Sequence, residues 1–298
     1  MSDVHKKWFY LILLSLIWGT SYILIKKGLR GFTPFQLGAI RILISSALLL
    51  IIGGKTLRNI GKNEWKWVII SGLIGSFIPV FLFAFAQTQI DSSIASILNS
   101  LVPLFTIIVG YFYFRTTFKG KQLLGVLTGL GGAVLLILIG SAMNPGQNYW
   151  YALLVVVATI GYAFNANIIK TKLSELTPLT IAVGNFSVMF IPAIFILYFS
   201  GVTDPEVLNG DYFYSSFGAI IVLAALGTCV AKVMFNRLIQ LSSAVFSVSI
   251  TYLIPVVGIF WGLMDGEPFE IQQFLAASLI ILGVYLINRE KIKKPTKA

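Results

Sequence analysis

Two charges sit where charge is expensive. Arg41 and Lys232 lie inside long apolar runs of this 298-residue chain, and a basic side chain at the centre of a bilayer costs about 2.5–3.5 kcal/mol even on the most lenient insertion scale. A cation kept there can hydrogen-bond helix-end carbonyls, stretch its methylenes back to the membrane surface, or meet an anion. For Arg41, two turns into its run, a structural role on carbonyls is expected. For Lys232 two readings stand side by side: snorkelling, and an ammonium that faces a cavity and pairs with a substrate carboxylate or other anion. No carboxylate sits clearly inside a run, since Asp91, Glu175 and Glu267 fall in or beside loops, and the chain has one cysteine, Cys229, and one histidine, His5. Nucleophilic, metal and carboxylate-based proton chemistry are therefore disfavoured, and a membrane-embedded enzyme with them. No cofactor or metal is expected.

Prolines supply a second chemistry. A proline inside a helix removes the partner of the carbonyl four residues earlier, which for Pro103 belongs to Asn99 and for Pro255 to Thr251. Each proline ends a polar stripe at spacings of three and four: Ser92, Ser96, Asn99 and Pro103, then Ser243, Ser247, Thr251 and Pro255. Such spacing puts each set on one helix face. Two mirrored polar faces looking into a shared cavity are expected, with Pro103 and Pro255 as its pivots; the alternative is a packing face whose hydroxyls satisfy one another across helices. Trp18 near a midplane, the stripe Phe77, Phe81 and Phe85, and the hydroxyls of Tyr22 and Tyr252 are candidates for an aromatic wall. Asn165, with Asn167 one polar step along, is costly in an apolar run without a partner.

Ten apolar runs of about one membrane span each must position these groups. They are read near 8–26, 34–53, 66–86, 91–114, 122–140, 149–169, 178–199, 215–236, 242–264 and 269–288. With 57% hydrophobic and 11% charged residues and a mean hydropathy of +0.88, a water-soluble fold is excluded. The net charge of +11 reflects membrane topology rather than nucleic-acid binding. Lys6 and Lys7, Lys55 to Lys66, Arg115 to Lys121, Lys170, Lys172, Arg237 and the tail place 17 of the 22 basic residues in alternate loops. Lys26, Lys27 and Arg30 alone occupy the other side, so both termini are expected in the cytoplasm. The first run, ending Ile-Lys-Lys-Gly-Leu-Arg, is read as an uncleaved helix rather than a signal peptide. Gly125, Gly129 and Gly132 predict tight helix packing, and no nucleotide loop.

The last five runs repeat the first five. Thr33-Pro34 recurs as Thr177-Pro178, Pro103 and Arg115 as Pro255 and Glu267, and Gly131 as Gly283. An odd number of repeated spans inverts the second copy. Trp18-Gly19-Thr20-Ser21, Lys26, Pro34, Arg41, Pro103, Gly125 and Gly131, with Pro255, Gly266-Glu267-Pro268 and Gly283, together resemble the EamA-type members of the drug/metabolite transporter superfamily. The resemblance implies ten helices in two inverted halves, a cavity formed mainly by the first, third, fourth, sixth, eighth and ninth helices, and export of small metabolites. Arg115 and Lys232 depart from the family pattern; Glu267 keeps the family's residue in an external loop and is given no coupling role.

The combined expectation is an all-α membrane protein with ten transmembrane helices in two inverted-topology five-helix repeats, 1–145 and 146–298, around a central cavity. Its partners are a small-molecule substrate and the lipid bilayer of a cell inner membrane, with no nucleic acid, and a monomer is compatible with this build. The expected activity is export of amphipathic metabolites such as amino acids by alternating access. Uptake or exchange of an organic anion on Arg41 and Lys232 is the rival.

Overall fold

The computed structural model describes residues 3–115, 120–143 and 146–288. Among them are ten long helices and no strand: α1 (Asp3–Gly28), α2 (Pro34–Gly53), α3 (Lys62–Ala86), α4 (Ser92–Phe114), α5 (Gly120–Met143), α6 (Ala152–Lys172), α7 (Pro178–Phe199), α8 (Phe213–Leu241), α9 (Ala244–Met264) and α10 (Ile271–Asn288). Eight are long and apolar enough to cross a membrane; α5 and α10 carry the shorter apolar stretches Leu127–Ile139 and Ile271–Gly283. Helices suit this composition because hydrocarbon offers no partner to a free peptide group. Lys119 and the basic tail from Arg289, used above to orient the chain, lie outside the described residues.

The repeated Thr-Pro pairs are helix starts. Thr33 and Thr177 are extended N-caps whose Oγ1 accepts from the third backbone N–H, that of Gln36 at 3.3 Å and of Thr180 at 3.2 Å. Proline suits the first helical position, where its missing N–H leaves nothing unpaired. Gln36 closes the box, its Oε1 accepting from the Thr33 N–H at 2.9 Å, and its Nε2 donates to the Ser200 carbonyl at 2.9 Å. Gln36→Ala is expected to cost about 1–2 kcal/mol, because one buried side chain satisfies two backbone groups. A thermal midpoint equal to wild type would refute this.

Helix α4 is the most buried, 89% of its apolar stretch, and α9 packs against it. They run antiparallel and cross where each is interrupted by a 3-10 turn, Asn99–Leu101 in α4 and Ser249–Tyr252 in α9. Helices α1 and α8 pack on one side of this crossing, α3 and α6 on the other, α2 against α7, and α5 against α10. The predicted glycine stripe lies in the α5–α10 contact. A Cβ on Gly132 would come within 2.8 Å of the Ile280 backbone nitrogen, and one on Gly283 within 2.6 Å of the Gly125 carbonyl. Its repeat partner Gly131 faces open space, so the two copies use this glycine differently.

Both α3 and α8 loosen to π-helical geometry midway, over Leu73–Phe77 and Leu223–Val230. These segments fall at matching positions of the two copies, 152 residues apart. Single π turns inside α-helices often sit at functional sites.

Candidate functional site

The two π segments face each other across a cavity of about 120 Å³. Its walls come from α1, α2, α3, α4, α6, α7, α8 and α9. Trp18, Tyr22, Arg41, Asn99, Asn165, Lys232 and Thr251 all line it, as the sequence led us to expect for every one but Arg41. Arg41 was assigned to a peripheral helix. Instead α2 leans into the bundle, and the Arg41 Nε donates to the Thr228 Oγ1 at 2.8 Å. Thr228 in turn donates to the Leu223 carbonyl five residues back, at 3.1 Å, inside the π segment.

Lys232 does not snorkel. It is 7% exposed, and its ammonium crosses the cavity to the π segment of α3, donating to Ser76 Oγ at 2.9 Å and Gly75 O at 3.4 Å. Across from it, the Trp18 Nε1 donates to the Gly227 carbonyl at 3.0 Å. Asn165 accepts at Oδ1 from Ser71 Oγ at 2.7 Å, while Asn99 Oδ1 has no hydrogen-bond partner.

The walls are matched in pairs between the copies. Trp18 stands against Phe235, ring centroids 5.0 Å apart, and Tyr162 against Phe83 at 6.0 Å. Trp18 and Tyr162 are 144 residues apart, Phe83 and Phe235 152. The backbones approach alike: a Cβ on Gly227 would meet Ser21 Oγ at 2.7 Å, and one on Gly75 would meet Asn165 Oδ1 at 2.5 Å. Ser21 and Asn165 are again 144 apart. Sequence reading missed Gly75, Ser76, Phe83, Tyr162, Gly227, Thr228 and Phe235; the signal available was their repeat spacing, since each differs little from ordinary helix packing.

Six other residues predicted at the substrate, or as pivots beside it, lie off the cavity, and the polar stripes divide between the two readings. Ser96 donates to the Ser93 carbonyl at 2.7 Å and packs under Gly258; Ser247 bonds Ser242 Oγ at 2.9 Å. Phe81 packs with Phe35 and Phe77 over Gly38, and Tyr252 is half-buried in the core around α4. Pro103 and Pro255 follow the 3-10 turns, which rehouse the carbonyls they free: Asn99 O accepts from the Val102 N–H, and Thr251 O from Ser100 Oγ at 2.9 Å. Asn99 and Thr251 line the cavity with both carbonyls already paired.

Glu267 is more than a loop residue. It is 5% exposed and caps α4 from another part of the chain, Oε1 accepting from the Ser92 N–H at 2.9 Å and Ser92 Oγ at 2.7 Å, and Oε2 from the Ser93 N–H at 3.0 Å. Lys26 bridges it at 2.9 Å and Asp265 at 2.9 Å, with Arg30 on Asp265 at 3.3 Å. Burial alone would raise the Glu267 carboxyl, but the donors of Ser92, Lys26 and Ser93 outweigh it and hold the group below its ordinary 4.5. Nearby Asp91 goes the other way, raised by burial and by the charge of Glu267. At the opposite end of the bundle Lys170, the repeat partner of Lys26, donates to the carbonyls of Ile239 at 3.2 Å and Ser242 at 2.5 Å. Only one end is closed by carboxylates among the described residues.

The EamA-like transporter family model matches residues 6–138 and again 149–289. The chain belongs to that family. This EamA-like chain is 25% identical to an uncharacterised transporter of Archaeoglobus fulgidus over 96% of its own length and all of the relative. It is 26% identical to the uncharacterised inner membrane transporter YedA of Escherichia coli, over 96% and 92%. It is 22% identical to the S-adenosylmethionine/S-adenosylhomocysteine transporter of Chlamydia muridarum, over 96% and 92%. A crystal structure shares the fold at a TM-score of 0.65 and 17% identity, covering 94% of this chain and 95% of the other. The protein is thus a multi-pass membrane transporter and not an enzyme.

Proposed function

We propose that this transporter moves small metabolites out of the cell by alternating access, with ten spans in two inverted five-helix halves, 1–145 and 146–298, that rock about the central cavity. The carrying observation is the matched pairing of the walls: Trp18 with Tyr162, Ser21 with Asn165, Gly75 with Gly227, Ser76 with Thr228 and Phe83 with Phe235. Inverted repeats build their site at the interface of two such halves. Pro103 and Pro255, each after a 3-10 turn at the α4–α9 crossing, are the hinges, and the Lys26–Glu267 clamp closes the external mouth. The basic loops support cytoplasmic termini in a cell inner membrane.

The test uses Cys229→Ala as a background free of cysteine, with single cysteines at Asp265 and at Ser243, one at each end of α9. In proteoliposomes that support counterflow of a labelled amino acid, adding substrate should raise labelling at one position while lowering it at the other. Parallel changes at both ends would refute alternating access. Loss of counterflow on collapse of the proton gradient would refute a facilitative carrier, which the absence of a carboxylate in the cavity wall favours among the described residues.

A further inference from the structure

Among the described residues the cavity is lined by two cations and no acid. Lys232 has only the neutral acceptors Ser76 Oγ and Gly75 O. Arg41 spends Nε on Thr228 Oγ1, and its two terminal nitrogens have no acceptor among the described residues, although the residue lines the cavity and stays partly accessible there. No carboxylate lies within ion-pair distance of either among the described residues. Lys26 shows the contrast, since at the end of the same bundle it takes two carboxylates. Two like charges without counter-ions in a low-dielectric wall repel each other and forfeit hydration, so an anion entering the cavity is drawn to both.

The placement breaks the repeat. The partner of Lys232 in the other copy is Val80, and that of Arg41 is Asn185, which is fully buried and donates to the Val68 carbonyl at 2.7 Å away from the cavity. Thr228 and Lys232 stand one turn apart on α8, so the anchor of the guanidinium and the stem of the ammonium share one wall. Guanidinium with a free edge matches an oxyanion in a two-pronged fashion, and an ammonium adds a movable point charge. Asn99, whose Oδ1 is unpartnered, adds an amide. Beside them, Trp18 with Phe235 and Tyr162 with Phe83 offer flat apolar faces.

We infer that the cavity binds small organic anions, compounds that present a carboxylate or phosphate to Arg41 and Lys232 and a ring or other apolar body to the aromatic pairs, and that it rejects cations. This rests on the cavity being the transport site, as proposed above, and it narrows the cargo to one charge class. It also assigns Arg41, rather than Lys232 alone, as a specificity-determining residue.

Calorimetric binding to the purified full chain in detergent tests this without requiring transport, so its failure leaves alternating access standing. The probes are phenylacetate, phenyl phosphate and phenethylamine, which share a ring and differ in charge. The anions should bind and the amine should not. Arg41→Gln and Lys232→Gln should each weaken the anions by about tenfold or more, the loss of one charge-assisted contact, while Lys232→Arg retains binding. If the glutamine variants do not fold, Val80→Glu gives a second route. Its carboxylate, one turn beyond Ser76, should occupy Lys232, raise the thermal midpoint and abolish anion binding. Preference for phenyl phosphate or for phenylacetate tells a phosphate ester from a carboxylate, and either supports the anion class. Amine binding as tight as anion binding, no anion binding up to about 10 mM, or glutamine variants within twofold of wild type would overturn it.

Discussion

Glu267→Gln is expected to lower stability by about 2 kcal/mol, and Glu267→Ala by about 3–5 kcal/mol, because each leaves charged or polar partners buried without their acceptor. Four donors converge on this carboxylate: the Ser92 N–H, Ser92 Oγ, the Ser93 N–H and the Lys26 ammonium. Glutamine keeps one acceptor oxygen but offers the other donors an NH₂ and no charge. The remainder of the clamp, Arg30 on Asp265, is exposed and worth little by itself. The pH dependence has a definite sign. A carboxyl held below its ordinary value contributes stability that is fully present above its unfolded value near 4.5 and is lost as pH falls through the lower folded value. Wild type should therefore lose thermal stability on acidification below about 4.5 more steeply than Glu267→Gln. Asp91, raised in the fold, works against this because its contribution is present below its unfolded value and is lost as pH rises through the folded one. The difference between wild type and variant reports Glu267 together with the part of the Asp91 shift that its charge causes. Midpoints from pH 3 to 7 that run parallel in the two proteins would show that the carboxylate is not the keystone of this end. A cysteine at Ser92 should also label faster in the Glu267→Gln background, since the same bonds hold the α4 end against the α9–α10 loop.

The residues that repeat in this chain were legible for physical reasons. Thr33-Pro34 and Thr177-Pro178 are local signals, a cap and an N1 proline, and both open helices. Helix spans follow from apolar run length, and the expected limits of α2, α4 and α7 agree with the structure to within a residue. What could not be read was which face each helix turns inward. Trp18-Gly19-Thr20-Ser21 shows why. Trp18 points at the Gly227 carbonyl, a Cβ on Gly19 would fall 2.5 Å from the Val257 Cβ, Thr20 accepts from Trp261 Nε1 at 3.1 Å, and Ser21 packs on Gly227. Four adjacent residues serve two neighbouring helices, α8 and α9, and a helical wheel does not name the neighbours. The polar stripes mislead for a related reason. Periodicity groups Ser92, Ser96 and Asn99 on one face, yet that face meets a different neighbour at each level. Ser92 then serves the clamp, Ser96 packs under Gly258, and only Asn99 reaches the cavity. Charge marked Lys232 for one of its two readings and placed Arg41 outside the cavity, yet both embedded cations line it.

Gly161→Val is expected to abolish transport and to cost about 3 kcal/mol or more, at the upper end of what overpacking a core does. A Cβ at Gly161 would collide with the Ile74 carbonyl oxygen and approach its carbon to 3.4 Å and Pro79 Cγ to 3.6 Å. Backbone cannot rotate away as a side chain can. Ile74 belongs to the π segment of α3, and one turn along α6 from Gly161 the contact reverses, with Asn165 pressed on Gly75. Helices α3 and α6 are thus keyed together through one glycine each. Any side chain at 161 must push the π segment outward, and with it Gly75 and Ser76, the two acceptors of the Lys232 ammonium. The effect on function should exceed the effect on stability, because a shift of about 1 Å in a positioning element can cost a hundredfold in rate. Gly131→Ala is the matched control. Nothing lies within 4 Å of its Cβ position, so the substitution should be neutral or raise stability by up to about 1 kcal/mol through helix propensity. Counterflow and thermal midpoints of the two variants in one membrane preparation decide the matter. Wild-type transport by Gly161→Val would mean that α3 can move without disturbing the site, and the π segment would then be a packing accommodation rather than the floor of the cavity.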